Sequence, residues 1–203
     1  MKDLVIVVAD KNAHFALKGA LQRPEALHIR PIEYEFRLHP GRDGGARTSG
    51  PETLVLERSR FSHGLLMFDL EGSGAEATDP LVLEQELDSR ISQYWGQQGK
   101  AIVIAPEVDA WVWGADNVLK EVLDWPLPGS IRDWLGGREF AFCANGKPLR
   151  PKEALEALVP IHKQPRSSAL YEQITSRVSL ARCQDAAFVR LRDRLRTWFP
   201  RQG

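Results

Sequence analysis

Short apolar runs alternate with segments of helical character, and this order constrains the fold more than any other feature of the sequence. The strand-like runs cover residues 4–9, 28–38, 64–68 and 101–105. The helical segments between them cover residues 13–22, 52–60 and 80–95, with residues 39–50 predicted as a polar, glycine-rich loop. A β-α-β-α-β-α-β order predicts an α/β fold: a mostly parallel four-stranded sheet flanked by helices.

The last third of the sequence has a helical pattern throughout. Helices are predicted within residues 147–158, 167–178 and 186–199. We therefore expect an α/β domain over residues 1–125 and a helical C-terminal extension over residues 126–203, packed on it. Trp111 and Trp113 are too close to share one helix face, so at least one is expected to pack against this extension.

The balance of charges in the sequence excludes no class of partner. The 203 residues include 27 Lys and Arg and 27 Asp and Glu, a net charge of zero that neither requires nor forbids a polyanionic partner. Arginines crowd the last segment, where a solvated face is the simpler interpretation and contact with nucleic acid is the alternative. They are Arg177, Arg182, Arg190, Arg192, Arg194, Arg196 and Arg201.

Cysteine usage and hydropathy indicate the compartment. Cys143 and Cys183 are far apart and form neither a disulfide framework nor a metal-ligand spacing. The sequence contains no pattern typical of a signal peptide and no apolar run of about 18 residues. We expect a cytoplasmic protein without membrane contact.

Acidic residues follow the predicted strands. Asp10 follows the first run, Asp69 and Glu71 follow the third, and Glu107 and Asp109 follow the fourth. Because the carboxyl ends of parallel strands meet at one edge of a sheet, these acids are expected to converge there. Asp69 and Glu71, two residues apart on a strand, are predicted to point the same way.

Paired carboxylates repel unless a proton or a cation lies between them. Oxygen ligands suit Mg²⁺ or Mn²⁺ better than zinc. The alternative is an acidic turn that follows a buried strand and has no chemical role.

The order of these acids resembles the Toprim domain of topoisomerases, primases and OLD-type nucleases. That family has an acid after its first strand and D-x-D-x-x-G after a later one. Here the second element is Asp69-Leu70-Glu71-Gly72-Ser73-Gly74, with Glu in place of the second Asp. The first, usually E-G-x-x-D, is Asp10-Lys11-Asn12-Ala13-His14, which differs at both acids and at the glycine.

A closer resemblance is to the small RloB-like and DUF-type Toprim proteins that accompany ATPases in prokaryotic defence loci. Three further elements support it. These are Glu107-Val108-Asp109-Ala110-Trp111, Lys147-Pro148 with Pro151-Lys152-Glu153-Ala154-Leu155, and Ser168 with Tyr171 and Ile174.

This resemblance implies cleavage of DNA or RNA by a Mg²⁺- or Mn²⁺-dependent nuclease in anti-phage defence. Asp69 and Glu71 would hold the metal and Asp10 would complete the site. Glu107 or Asp109 would add a ligand or act as general base. A cation that stabilises the charge on the phosphate would come from Lys11, Arg42, Arg47 or Lys163. His14, one helical turn after Asp10, is a candidate to face the same site.

Two other classes stay open. A non-catalytic Toprim-like module would bind a partner ATPase, and the altered first motif favours it. A nucleotide-binding doubly wound domain has less support, because neither G-x-G-x-x-G nor G-x-x-x-x-G-K-[ST] follows a strand. An oligomer is possible in each case, with the helical extension as its contact surface.

Overall fold

One parallel sheet organises the molecule. The structure is a computed structural model that describes residues 1–161 and 167–201. The sheet contains four strands in the order β2-β1-β3-β4. They are β1 (Lys2–Val8), β2 (Tyr34–Leu38), β3 (Phe61–Asp69) and β4 (Gly99–Ile104). The predicted α/β class with a four-stranded parallel sheet flanked by helices is confirmed.

Helices follow the strands and fill the C-terminal part of the chain. The first four are α1 (Lys11–Leu21), α2 (Pro24–Leu27), α3 (Arg42–Val55) and α4 (Pro80–Trp95). A 3₁₀-helical segment, Val108–Gly114, precedes the others. These are α5 (Asp116–Leu123), α6 (Ile131–Gly136), α7 (Pro151–Leu158), α8 (Ser168–Thr175) and α9 (Ala186–Trp198). None of these helices in the described ranges has the length and apolar character needed to cross a membrane.

Helix α3 corrects the predicted loop over residues 39–50. The segment has few large apolar residues, yet it is helical because its small residues let it approach the sheet. Ala46 and Gly50 are buried, and a methyl group at position 50 would lie 2.5 Å from the side chain of Leu66 on β3. The predicted helix over residues 52–60 is wrong beyond Val55, where α3 ends and turns lead into β3.

The two faces of the sheet carry different layers. One face packs against α3 and α4, and its buried side chains include Val5, Val7, Leu66, Phe68 and Trp95. The other face packs against α1 and the later helices, and its buried side chains include Ile6, Leu65, Leu155, Tyr171 and Phe188. Residues beyond 126 therefore share a hydrophobic core with β1 and β3.

Several C-terminal arginines bind protein groups instead of forming only a solvated face. Arg190 donates from Nη2 to Glu84 at 2.7 Å and to the carbonyl of Val103 at 3.0 Å. Arg192 and Arg196 donate to backbone carbonyls of other segments. The interpretation of a solvated arginine face is wrong for these three residues, because they attach α9 to the rest of the fold.

Candidate functional site

The strand register brings Asp10 and Asp69 to the same level. Strands β1 and β3 are neighbours, and Val8 is paired with Met67. Asp69 is the last residue of β3, and Asp10 follows Val8 by two residues in extended backbone, with φ −147° and ψ 177°. The predicted convergence of these two acids at the carboxyl edge of the sheet therefore has a geometric basis in the fold.

Backbone N–H groups fix three aspartates at this edge. Asp10 caps α1, and its Oδ1 accepts a hydrogen bond from the N–H of Ala13 at 2.8 Å. Asp43, in the first turn of α3, accepts through Oδ1 from the N–H of Asp69 at 2.9 Å. Asp69 in turn accepts through Oδ1 from the N–H of Val108 at 2.9 Å. We call Asp10, Asp43 and Asp69 the aspartate cluster.

The three carboxylates repel one another. Burial raises the pKa of Asp69 well above its ordinary value, and the nearby charges of Asp43, Asp10 and Asp109 raise it further. Burial also raises the pKa of Asp43. The hydrogen bond from the N–H of Asp69 lowers this pKa and the charge of Asp10 raises it, and the net shift is upward. The cluster therefore stabilises a proton or a cation between its members.

Glu71 does not continue strand β3, as the prediction that it points the same way as Asp69 requires. The consecutive N–H groups of Leu70 and Glu71 both donate to the chain around the end of β4, to Ile104 and Pro106. In a regular strand consecutive N–H groups point in opposite directions, so the alternation ends at Leu70. The strand geometry that would have placed Glu71 beside Asp69 is thus absent, and Glu71 is exposed in the turn.

Glu107 and Asp109 flank Val108 at the start of the 3₁₀ segment, and both are buried. Burial raises the pKa of Glu107 to about 7, with the charge of Asp109 adding to the effect. The Oε1 atom of Glu107 accepts from the N–H of Lys152 at 3.3 Å, at the start of α7. Asp109 accepts from the hydroxyl of Tyr171 at 2.6 Å. Asp109 thus acts on the cluster through its charge, while Glu107 contacts α7.

The predicted cationic residues occupy different positions. Arg47 donates from Nε to the carbonyl of Ser73 at 2.7 Å and so holds the turn that follows β3. Lys11 and Arg42 are exposed, each next in sequence to an aspartate of the cluster. His14 packs against Phe36 with the rings tilted and their centroids 4.2 Å apart, and burial lowers the pKa of His14. Lys163 lies outside the described residues.

The donor chemistry of the aspartate cluster fits a hard divalent cation. Within residues 1–161 and 167–201, no three His, Cys, Asp or Glu side chains form a ready-made metal-binding group. Mg²⁺, however, keeps several waters and is commonly bound by one or two carboxylates together with substrate phosphate. Asp10 and Asp69 each use one oxygen for a backbone N–H, and the other has no hydrogen bond within the described residues.

Asp43 is the member that the sequence analysis did not identify. It belongs to the Arg42-Asp43-Gly44-Gly45 stretch, which was predicted to lie in a loop. The available signal was its acidic side chain following the strand β2, as Asp10 follows β1 and Asp69 ends β3.

Comparison of the chain with protein-family models, with curated proteins and with solved structures gave no match.

Proposed function

We propose that this protein is a Toprim-like, divalent-metal-dependent nuclease that cleaves phosphodiester bonds in nucleic acid and acts as an effector of prokaryotic anti-phage defence. The observation that carries this proposal is the aspartate cluster at the carboxyl ends of β1 and β3. Its carboxylates are fixed by backbone N–H groups, and the pKa values of Asp43 and Asp69 are raised. A bound cation relieves that repulsion.

The proposed roles follow from these contacts. Asp10 and Asp69 would hold Mg²⁺ or Mn²⁺ through their second carboxylate oxygens, and the negative charge of Asp43 would favour the cation. The ion would supply an activated water and stabilise charge on the phosphate. Lys11 and Arg42, exposed beside two of the aspartates, are positioned in the sequence to neutralise the phosphate backbone. Glu107, with its pKa raised to about 7, populates both protonation states at neutral pH, which suits a general acid or base.

The test compares cleavage of DNA and RNA, single- and double-stranded, by the wild type and by Asp69→Asn. Asparagine keeps an oxygen that accepts from the N–H of Val108, so the variant changes charge with little change in the fold. We expect cleavage by the wild type with Mg²⁺ or Mn²⁺, loss of cleavage in EDTA, and a decrease of about 100-fold or more in Asp69→Asn.

Glu86→Gln is the matched control, because Glu86 is exposed on α4 and also loses one negative charge. It is expected to cleave like the wild type. Undiminished cleavage by Asp69→Asn would contradict the assignment of the site.

A non-catalytic module that binds a partner ATPase is the second candidate. Two observations favour it: the described residues form no ready-made three-ligand group, and Leu81 and Val82 at the start of α4 are about half exposed. Calorimetric titration with Mn²⁺ separates the two functions. The nuclease requires binding that Asp69→Asn weakens, whereas a folded wild type that binds no Mn²⁺ supports the module.

A further inference from the structure

A second concave region lies away from the aspartate cluster. It is a cavity of about 600 Å³ between the 3₁₀ segment, the end of α8 and the start of α9. This volume is within the range of small-molecule sites in proteins, about 300–1,000 Å³. None of the three cluster aspartates lines it. We call it the arginine cavity after Arg23, Arg177 and Arg182, which line it.

The cavity has a positive lining. Arg23, Arg177, Arg182 and Lys147 contribute to it, and within the described residues no Asp or Glu does. Lys147 is neutralised by Asp185 at 3.2 Å, which leaves the three arginines as the net charge of the lining. Arg23 is half-buried, whereas Arg177 and Arg182 are exposed. Positive charges gathered around one cavity attract an anion.

The arginines keep free donors. Arg23 is anchored through one nitrogen, Nη1, which donates to the carbonyls of Thr175 at 3.1 Å and Val178 at 2.7 Å. Its Nη2 and Nε have no protein partner within the described residues. Arg182 donates from Nε to the hydroxyl of Ser179. Arg177 is exposed and forms no ion pair with any residue that the structure describes. Guanidinium groups with free N–H donors match phosphate geometry.

Aromatic rings form another part of the lining. Trp113 is partly exposed, and its Nε1 donates to the carbonyl of Pro151 at 3.2 Å, which fixes the ring. Trp111 and Phe188 also line the cavity; both are buried, and their rings meet edge to face at 5.3 Å between centroids. Asn117 and Asn145 add exposed side-chain amides to the lining, and the Oδ1 atom of Asn145 already accepts from the N–H of Lys147 at 3.1 Å.

From this combination we infer that the arginine cavity is a binding site for a free nucleotide. The base would stack on Trp113, the amides would contact its edge, and the phosphates would bind Arg23, Arg177 and Arg182. Base stacking and charge-assisted phosphate contacts each require the groups found here. The inference does not depend on the proposed nuclease activity.

The experiment is calorimetric titration of the full chain with ATP, GTP, adenosine and inorganic phosphate. EDTA is present throughout, so that no divalent cation at the aspartate cluster contributes. We expect ATP or GTP to bind at least about tenfold more tightly than adenosine or phosphate alone, since each of these lacks one half of the recognition. Binding should weaken as the salt concentration rises.

Arg177→Ala/Arg182→Ala removes two exposed cations of the cavity, and Arg194→Ala/Arg201→Ala removes two cations elsewhere. The first pair is expected to weaken nucleotide binding at least about tenfold, and the control pair by less than about twofold. Trp113→Leu should weaken it as well, and Trp113→Phe should retain most of it. The inference is overturned if neither nucleotide binds, if both arginine pairs have equal effects, if adenosine binds as tightly as ATP, or if only an oligonucleotide binds.

Discussion

Asp43 and Asp69 are joined through a backbone group, and this arrangement explains how like charges are kept together. The N–H of Asp69 donates to the carboxylate of Asp43, while the carboxylate of Asp69 accepts from Val108. Each hydrogen bond offsets part of the electrostatic repulsion, yet the pKa values of both side chains stay raised. The same fixed N–H groups keep the carboxylates in place when their charge is changed.

Glu107 provides a prediction of pH-dependent stability. Its pKa is raised to about 7 from an ordinary value of 4.5, so the folded protein holds this proton more tightly than the unfolded chain. As the pH rises from about 4.5 to 7, the wild type therefore loses unfolding free energy, by up to about 3 kcal/mol from this group.

Glu107→Gln removes this loss and keeps an oxygen that accepts from the N–H of Lys152. Urea denaturation should show the variant more stable than the wild type at pH 8, with the difference narrowing towards pH 4.5. Glu86→Gln should follow the wild type. An equal difference at both pH values would rule out titration of Glu107 as its cause.

At the level of single residues, the sequence predicts part of the candidate site. The positions of Asp10 and Asp69 can be predicted, because local apolar patterns determine where the strands end and that the strands are parallel. Asp43 does not, because its position depends on a helix built from small residues. Glu71 illustrates the opposite error: the alternation of a strand was extended past Leu70, where contacts with the chain after β4 end it.

Helices α1 and α8 pack closely because Gly19 has no side chain. A methyl group at position 19 would lie 2.3 Å from Oγ1 of Thr175 and 2.6 Å from the carbonyl oxygen of Glu172. Backbone atoms cannot move aside as a flexible side chain can. The close approach of the two helices at this point therefore requires glycine at position 19.

Gly19→Ala should lower the unfolding free energy by about 1–3 kcal/mol, the usual cost of overpacking. Gly136→Ala is the matched control, because nothing lies within 4 Å of a methyl group at that position in α6. It is expected to be neutral or to stabilise by up to about 1 kcal/mol. Urea denaturation of both variants measures the difference, and equal stabilities would contradict the close contact.

The elements themselves are largely predictable. Helix α4 begins and ends at the predicted residues, because its apolar spacing is a local signal. Helix α7 begins at Pro151 as expected, because proline is favoured in the first turn of a helix. The first part of helix α3, residues 42–50, was not predicted, because its stability comes from tertiary packing of Ala46 and Gly50 against the sheet, which a local pattern does not contain.

The C-terminal part of the chain is attached to the sheet by a partly buried ion pair. Glu84 on α4 accepts from the N–H of Val103 on β4 at 2.8 Å and from Arg190 on α9. Arg190 also donates to the carbonyl of Val103. Residues from three elements therefore share one polar network inside the fold.

Arg190→Met should destabilise the whole molecule by about 3–5 kcal/mol, because it leaves the buried Glu84 carboxylate without its cation. Arg194→Met on the same helix should cost less than about 1 kcal/mol. Circular dichroism and tryptophan fluorescence should report one common transition on denaturation. Separate transitions for the two probes would show that the C-terminal helices unfold independently of the sheet.

The 3₁₀ segment Val108–Gly114 forms hydrogen bonds with other parts of the fold along most of its length. Its first residue binds Asp69, Asp109 binds Tyr171, Trp111 binds Asp185, and Trp113 binds the carbonyl of Pro151. Inserting or deleting a single residue there would displace either the N–H of Val108 from Asp69 or Trp113 from the arginine cavity. The length of this seven-residue segment therefore sets the distance between the N–H that binds Asp69 and Trp113, which lines the arginine cavity, and relatives of this chain should keep that length.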